Sequence, residues 1–199
     1  MKLIRSSIVV AVAAAVALVP AAAYADTKSH VDPAGDVRSV AYDPNTGADA
    51  STEAAEPAAR LGDITKVKVT HGASTIKFTL RFRDLSKAGF AALYEFAIVS
   101  PNGVRYANVV AAPGHWKGKA YLTKKPNGKK VRCSIDHHID YGDNVVVATV
   151  PRSCLGRPKV VKVGVEAFIG YGAKIYYDQA YRTGGGYHDL LTPSPRIHR

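Results

Sequence analysis

Acidic side chains crowd the front of this chain. Asp26, Asp32, Asp36, Asp43, Asp49, Glu53, Glu56 and Asp63 are eight of its sixteen Asp and Glu residues. Two of the stretches they occupy, Asp32-Pro33-Ala34-Gly35-Asp36 and Gly62-Asp63-Ile64, combine carboxylates with tight-turn residues. A hard cation such as Ca²⁺ takes about six to eight oxygens. Asp32, Asp36 and Asp63 can supply carboxylates to it, and the turn after Asp32 can supply carbonyls. A second set, Asp43, Asn45 and Asp49, puts oxygens at alternate positions of Asp-Pro-Asn-Thr-Gly-Ala-Asp. It is not an EF-hand loop, because Gly47 takes the fifth place and Ala54 stands where the bidentate Glu belongs. Ordinary turn chemistry, with Asp side chains accepting from nearby backbone N–H groups, explains both stretches equally well.

Other residues able to do chemistry are scattered. Glu95 and Glu166 are a conceivable acid–base pair, but strand alternation turns both outward onto a plain surface. His137 and His138 are adjacent and face opposite ways in a strand, which suits an exposed strand end better than a shared metal. His188-Asp189 completes no readable triad. G-x-S-x-G, H-E-x-x-H and phosphate-loop patterns are missing from the sequence. The chain is therefore expected to be a binding protein and not an enzyme.

The first 25 residues read as a cleaved leader. Lys2 and Arg5 precede the apolar run Ile8–Val19, Pro20 breaks it, and Ala23-Tyr24-Ala25 supplies the small residues of a cleavage site. The run is shorter than the ~20 residues of a membrane span. The expected product is exported and carries no transmembrane anchor. Removing the leader takes away two cations and no acid, so the net charge falls from +11 to +9. That balance favours polyanions such as an anionic cell-wall polymer or glycan. The sequence lacks the aromatic-interleaved basic motif of a nucleic-acid binder, and it leaves the oligomeric state open. Cys133 and Cys154, the two cysteines, lie in the exported part. Oxidised, they would close a loop of about 20 residues worth roughly 3 kcal/mol.

These residues must be carried by strands. Leu61–Phe82 holds two alternating runs joined by the turn His71-Gly72-Ala73-Ser74, with Val67, Val69 and His71, then Ile76, Phe78, Leu80 and Phe82, on the core side. Further alternating stretches follow at Leu93–Ser100, Val104–Ala111, Lys119–Thr123, Asn144–Val150, Lys159–Ile169 and Lys174–Arg182. Pro-Asn-Gly turns fall at 101–103 and 126–128, the second in the cationic tip Lys124–Lys130. Pro151–Gly156 suits a single helical turn ended by Gly156. The predicted architecture is all-β, an antiparallel β-sandwich of about eight to ten strands spanning 61–183. Segment 26–60 is acidic and loop-rich, with a short edge strand at Val37–Tyr42 and a long connection over Asp43–Arg60. Residues 184–199 form a partly flexible tail.

Asp32–Val37, the acidic loop after it, Gly62-Asp63-Ile64 and the two alternating runs together resemble the opening of DOMON-like domains. Those are secreted sandwiches similar to family-9 carbohydrate-binding modules. Val150–Gly156 with Cys133 looks like a group of exported actinobacterial proteins of similar build. The resemblance implies a sandwich with a structural calcium ion at the acidic segment and an aromatic ligand platform. Tyr94, Tyr106, Trp116, Tyr121, Tyr171, Tyr176, Tyr177, Tyr181 and Tyr187 are the aromatic candidates, of which Trp116, Tyr106 and Tyr176 are the expected ligand-binding residues. A single Trp departs from the paired-tryptophan sugar clamp. The Met/His haem pairing of a related branch is excluded, because Met1 is the only methionine and leaves with the leader.

Overall fold

The computed structural model describes residues 25–126, 128–181 and 192–199. The expected leader, Tyr187 and the His188-Asp189 pair fall outside the described residues. The described part is an antiparallel β-sandwich. Its N-terminal strands are β1 (Asp26–Val31), β2 (Arg38–Asp43), β3 (Gly47–Ala55), β4 (Ile64–His71) and β5 (Thr75–Phe82). The middle of the chain forms β6 (Ala91–Ser100), β7 (Gly103–Ala111), β8 (Lys119–Thr123), β9 (Lys130–Val131) and β10 (Asp136–Asp140). The last four are β11 (Val145–Pro151), β12 (Val160–Tyr171), β13 (Lys174–Gln179) and β14 (Ile197–His198). A 3-10 turn at Arg152–Leu155 ends on Gly156, as the sequence predicts.

One sheet has the order β1-β4-β5-β11-β10, the other β3-β2-β13-β12-β6-β7-β8-β9, with β14 paired to β12. The hairpin β4–β5 forms where alternation places it, and its turn closes through Gly72 N–H donating to Thr75 O. Its apolar face, from Ile64 through Phe82, meets Tyr94, Phe96 and Ile98 of β6 and Val161, Val163 and Val165 of β12. Phe78 lies 4.7 Å from Phe96, and Phe82 lies 5.6 Å from Tyr94, ring centre to ring centre. These offset and edge-on pairs close the interior. Cys133 and Cys154 form a disulfide with Cα atoms 5.9 Å apart, tying the segment after β9 to the 3-10 turn.

Three expectations change. Asp43–Arg60 is not one long connection, since β3 pairs with β2 as a hairpin and β2 lies inside the sheet between β3 and β13. β3, GADASTEAA, is a mostly exposed edge strand with no apolar face, so it leaves no periodic signal. Residues 192–199, part of the tail expected to be partly flexible, pack against β12. Ile197 is fully buried on β12, and Ser194 accepts from Val163 N–H while its own N–H donates to Val163 O. Glu95 and Glu166 do point away from the sandwich core, but they are buried, at 6% and 7% exposure.

Candidate metal centre

The chain crosses between the two sheets early. β1 belongs to the smaller sheet, β2 to the larger, and residues 32–37 make the crossing. Asp32 follows β1 directly and its N–H donates to Thr65 O. Gly35 sits at φ +89°, a conformation that L side chains rarely adopt, and its N–H donates to Asp63 Oδ2 at 2.9 Å. Gly62, at φ +79°, is also required, because a Cβ there would stand 2.8 Å from Ile169 Cγ1. Asp63 thus enters β4 beneath the larger sheet. A register shift between Ile64 and Lys66 follows, and Ile64 N–H donates to Asp178 Oδ2 on β13 at 2.7 Å.

The outcome is a knot of four carboxylates from both sheets. Oxygens of Asp32, Asp36 and Asp178 lie within 4.8 Å of one another, and Asp63 acts on the charge of all three. Asp32, Asp63 and Asp178 are 3%, 0% and 4% exposed. Arg83 Nη1 donates to Asp63 Oδ2 at 2.8 Å. Asp32 Oδ2, Asp36 Oδ1 and Asp63 Oδ1 are buried without a hydrogen-bond partner among the described residues. Burial, followed by repulsion from Asp178, Asp36 and Asp63, pushes the Asp32 carboxyl up to about 9. Burial, then Asp36, pushes Asp178 up to about 7, and burial raises Asp36 as well.

This donor set fits a calcium-sized ion. Ligands about 2.3–2.6 Å from Ca²⁺ stand up to about 5 Å apart, and oxygens of Asp32, Asp36 and Asp178 fall within that reach of one another. Buried polar atoms ordinarily find partners, and a cation held by Asp32, Asp36 and Asp178 would meet that need for Asp32 and Asp36. Of the expected ligands, Asp32 and Asp36 share the ion-sized cluster, while Asp63 lies outside it and acts on its charge. Asp178 was missed. It sits in a strand of apolar and aromatic residues with no turn signal, and only the pairing of β13 with β12 and β2 brings it to the junction.

Asp43, Asn45 and Asp49 behave differently. Asp43 Oδ1 accepts from the N–H groups of Asn45 and Thr46, and Asp49 Oδ1 accepts from Ser51 N–H and Oγ–H. These exposed Asp residues serve their own turns.

The expected aromatic residues do not share a surface. Trp116 lies half-buried in the β7–β8 loop, edge-on to Tyr141, whose hydroxyl donates to Trp116 O at 2.9 Å. Together with Lys87, His115, Lys117 and Ile139 they line a cleft of about 430 Å³. Tyr106 lies on the outer face of the larger sheet with Glu95 and Glu166, whose charges raise its hydroxyl after burial. Tyr176 on β13 points to the opposite face, neighbouring Ile169 and Ser39.

Glu166 sits directly opposite Glu95 on β6 and opposite Gln179 on β13, whose amide donates to Glu166 Oε2 at 2.9 Å. Burial pushes Glu95 up to about 7, offset in part by its hydrogen bond with Glu166. On the edge strand β10, His138 is exposed, whereas His137, expected at an exposed strand end as well, is half-buried. No helix among the described residues is long and apolar enough to cross a membrane. Comparison with protein-family models, with curated proteins and with solved structures gives no match for this chain.

Proposed function

We propose that this chain is an exported, non-enzymatic binding module of DOMON-like build, locked by a calcium ion between its two sheets. One observation carries the reading: Asp32, Asp36 and Asp178 bring carboxylate oxygens within 4.8 Å of one another, with unpartnered buried oxygens on Asp32 and Asp36, where the chain passes from one sheet to the other. Asp32, Asp36 and Asp178 hold the ion, with Asp63 beside it. Arg83 and Gly35 N–H orient Asp63, and Ile64 N–H orients Asp178. The ion supplies charge neutralisation and joins β1 and β4 to β2 and β13. That partner is an anionic wall polymer or glycan. The positive balance favours it, and the Trp116–Tyr141 cleft with Lys87 and Lys117 offers an aromatic wall beside cations. Thermal melting in EDTA and in Ca²⁺ tests the metal, because an ion bound only to the folded chain must raise the midpoint. An unchanged midpoint refutes it. Retention on purified cell wall tests the partner, and retention that ignores salt contradicts a charge-driven contact.

A second reading has its own observation. Glu95 and Glu166 form a buried carboxylate pair, with Glu95 near 7, a range suited to a general acid. A hydrolase built on this pair loses turnover of wall glycans in Glu95→Gln, whereas a binding module shows no turnover in either form.

A further inference from the structure

Cations gather at the end of the sandwich where the β4–β5 turn, the 3-10 turn and the last strand meet. There a cavity of about 440 Å³ is lined by Ser74, Arg152, Ser153, Arg157, Lys159 and Arg199. Arg152 is 4% exposed and forms the floor of the arrangement. Its guanidinium donates to the carbonyls of Ala73, Arg157 and Pro158, and its own N–H donates to Ser74 O. Three neutral carbonyls orient the group without cancelling its charge. Its Nε, also buried, has no partner among the described residues.

The other cations are set around it by backbone. Arg157 N–H donates to Arg152 O, Arg157 takes φ +54°, and Arg199 N–H donates to Lys159 O. Arg157, Lys159 and Arg199 are exposed, so they reach solvent at the rim. Burial and then the Arg199 and Arg157 charges hold Arg152 below its ordinary value, as expected of cations facing one another. Asp26 on the neighbouring β1 is engaged by His198 N–H and lies 3.6 Å from Lys28. Among the described residues no carboxylate side chain lines the cavity. Planar guanidinium forks, a lysine and two serine hydroxyls around one space match a tetrahedral oxyanion with several acceptor oxygens.

We propose that this cavity is a binding site for a phosphate group, formed by Arg152, Arg157, Lys159 and Arg199 with Ser74 and Ser153. It rests on the reading of an anionic partner made above but places the contact here and not at the Trp116–Tyr141 cleft, and it does not depend on the metal. The phosphate is either free or carried by a phosphodiester polymer, and the two sources share the same chemistry at the site.

The test is a titration of the full chain, followed by backbone amide shifts, with inorganic phosphate and separately with poly(glycerol phosphate). Saturable one-to-one shifts at Ser74, Ser153 and Arg157 are expected. Arg157→Ala and Lys159→Ala, both at exposed positions, should each weaken binding by about tenfold, the loss of one charge-assisted contact. Lys124→Ala with Lys125→Ala in the β8–β9 hairpin removes exposed charge elsewhere and should leave affinity unchanged. Non-saturating shifts spread over all basic surfaces overturn the site, as does equal weakening by the hairpin variant. Polymer binding that exceeds phosphate binding and falls with Arg157→Ala assigns the polymer as the source, whereas equal affinities assign the free anion. Wall retention that survives Arg157→Ala refutes this location but leaves the binding-module reading standing.

Discussion

Two acidic segments, alike in composition and only a few residues apart, end in opposite electrostatic situations. Asp43–Asp49 is an exposed hairpin whose carboxylates are satisfied by the N–H groups two and three residues on. Asp32–Asp36 crosses between sheets, where Asp32 is buried with Asp63 and Asp178, Asp36 is half-buried, and carboxylate oxygens are left without a partner. Composition does not separate them. What separates them is burial and crowding: at the junction the Gly35 and Ile64 N–H groups answer Asp63 and Asp178, yet oxygens of Asp32, Asp36 and Asp63 stay buried without a partner. A carboxylate cluster asks for a cation when burial has removed water and the N–H groups in reach are too few.

The largest effect that can break this contrast is the metal response. At a hundredfold excess over Kd, a bound ion contributes about 2.7 kcal/mol, and a domain of this size gains about 2–4 °C per kcal/mol. Ca²⁺ should raise the melting midpoint by roughly 5–10 °C. Asp178→Asn should abolish that rise, yet melt no lower than the parent in EDTA, because it relieves repulsion and its amide oxygen can still accept from Ile64 N–H. Asp49→Asn should keep the full rise.

The pH dependence comes next. Asp32 and Asp178 sit at about 9 and about 7 in the folded chain, against an ordinary 3.8. The folded form therefore keeps protons that the unfolded chain releases. Metal-free stability is fully present below about 4 and is lost as pH rises, through 7 for Asp178 and 9 for Asp32. A cation competes with those protons, so the Ca²⁺-induced rise should grow from pH 5 to pH 8 in melts run side by side.

Two glycines sharpen the comparison further. Gly35 and Gly47 have nearly equal φ, +89° and +90°, but a Cβ at Gly35 stands 3.1 Å from Pro57 O and one at Gly47 meets nothing within 4 Å. Gly47→Ala should cost the backbone penalty alone, about 1–2 kcal/mol. Gly35→Ala should cost more in denaturant unfolding and also lower Ca²⁺ affinity, because Gly35 N–H holds Asp63. Asp43→Ala is the smallest change, within about 1 kcal/mol, with the metal response intact.

The sheets themselves were legible because their inner faces alternate. Val67, Val69, Ile76, Phe78 and Leu80 read directly as one buried face, and every one is fully buried. β3 was illegible because Ala, Ser and Thr on an edge carry no period. β14 was illegible because two residues are too short for one. At the site, Asp32, Asp36 and Asp63 were marked by their glycines, which bend the chain at the junction. Asp178 carries no local mark, since its role comes from the strand opposite it. Glu95 and Glu166 show the limit of alternation, which tells which face a side chain takes but not whether that face is wet.

The most direct measurement is calorimetric titration of Ca²⁺ into EDTA-stripped protein, in parallel for the parent, Asp178→Asn and Asp49→Asn. A cation lock between the sheets predicts one ion per chain in the parent and in Asp49→Asn, and no binding heat in Asp178→Asn. Undiminished binding by Asp178→Asn, or no binding by the parent at pH 8, contradicts it.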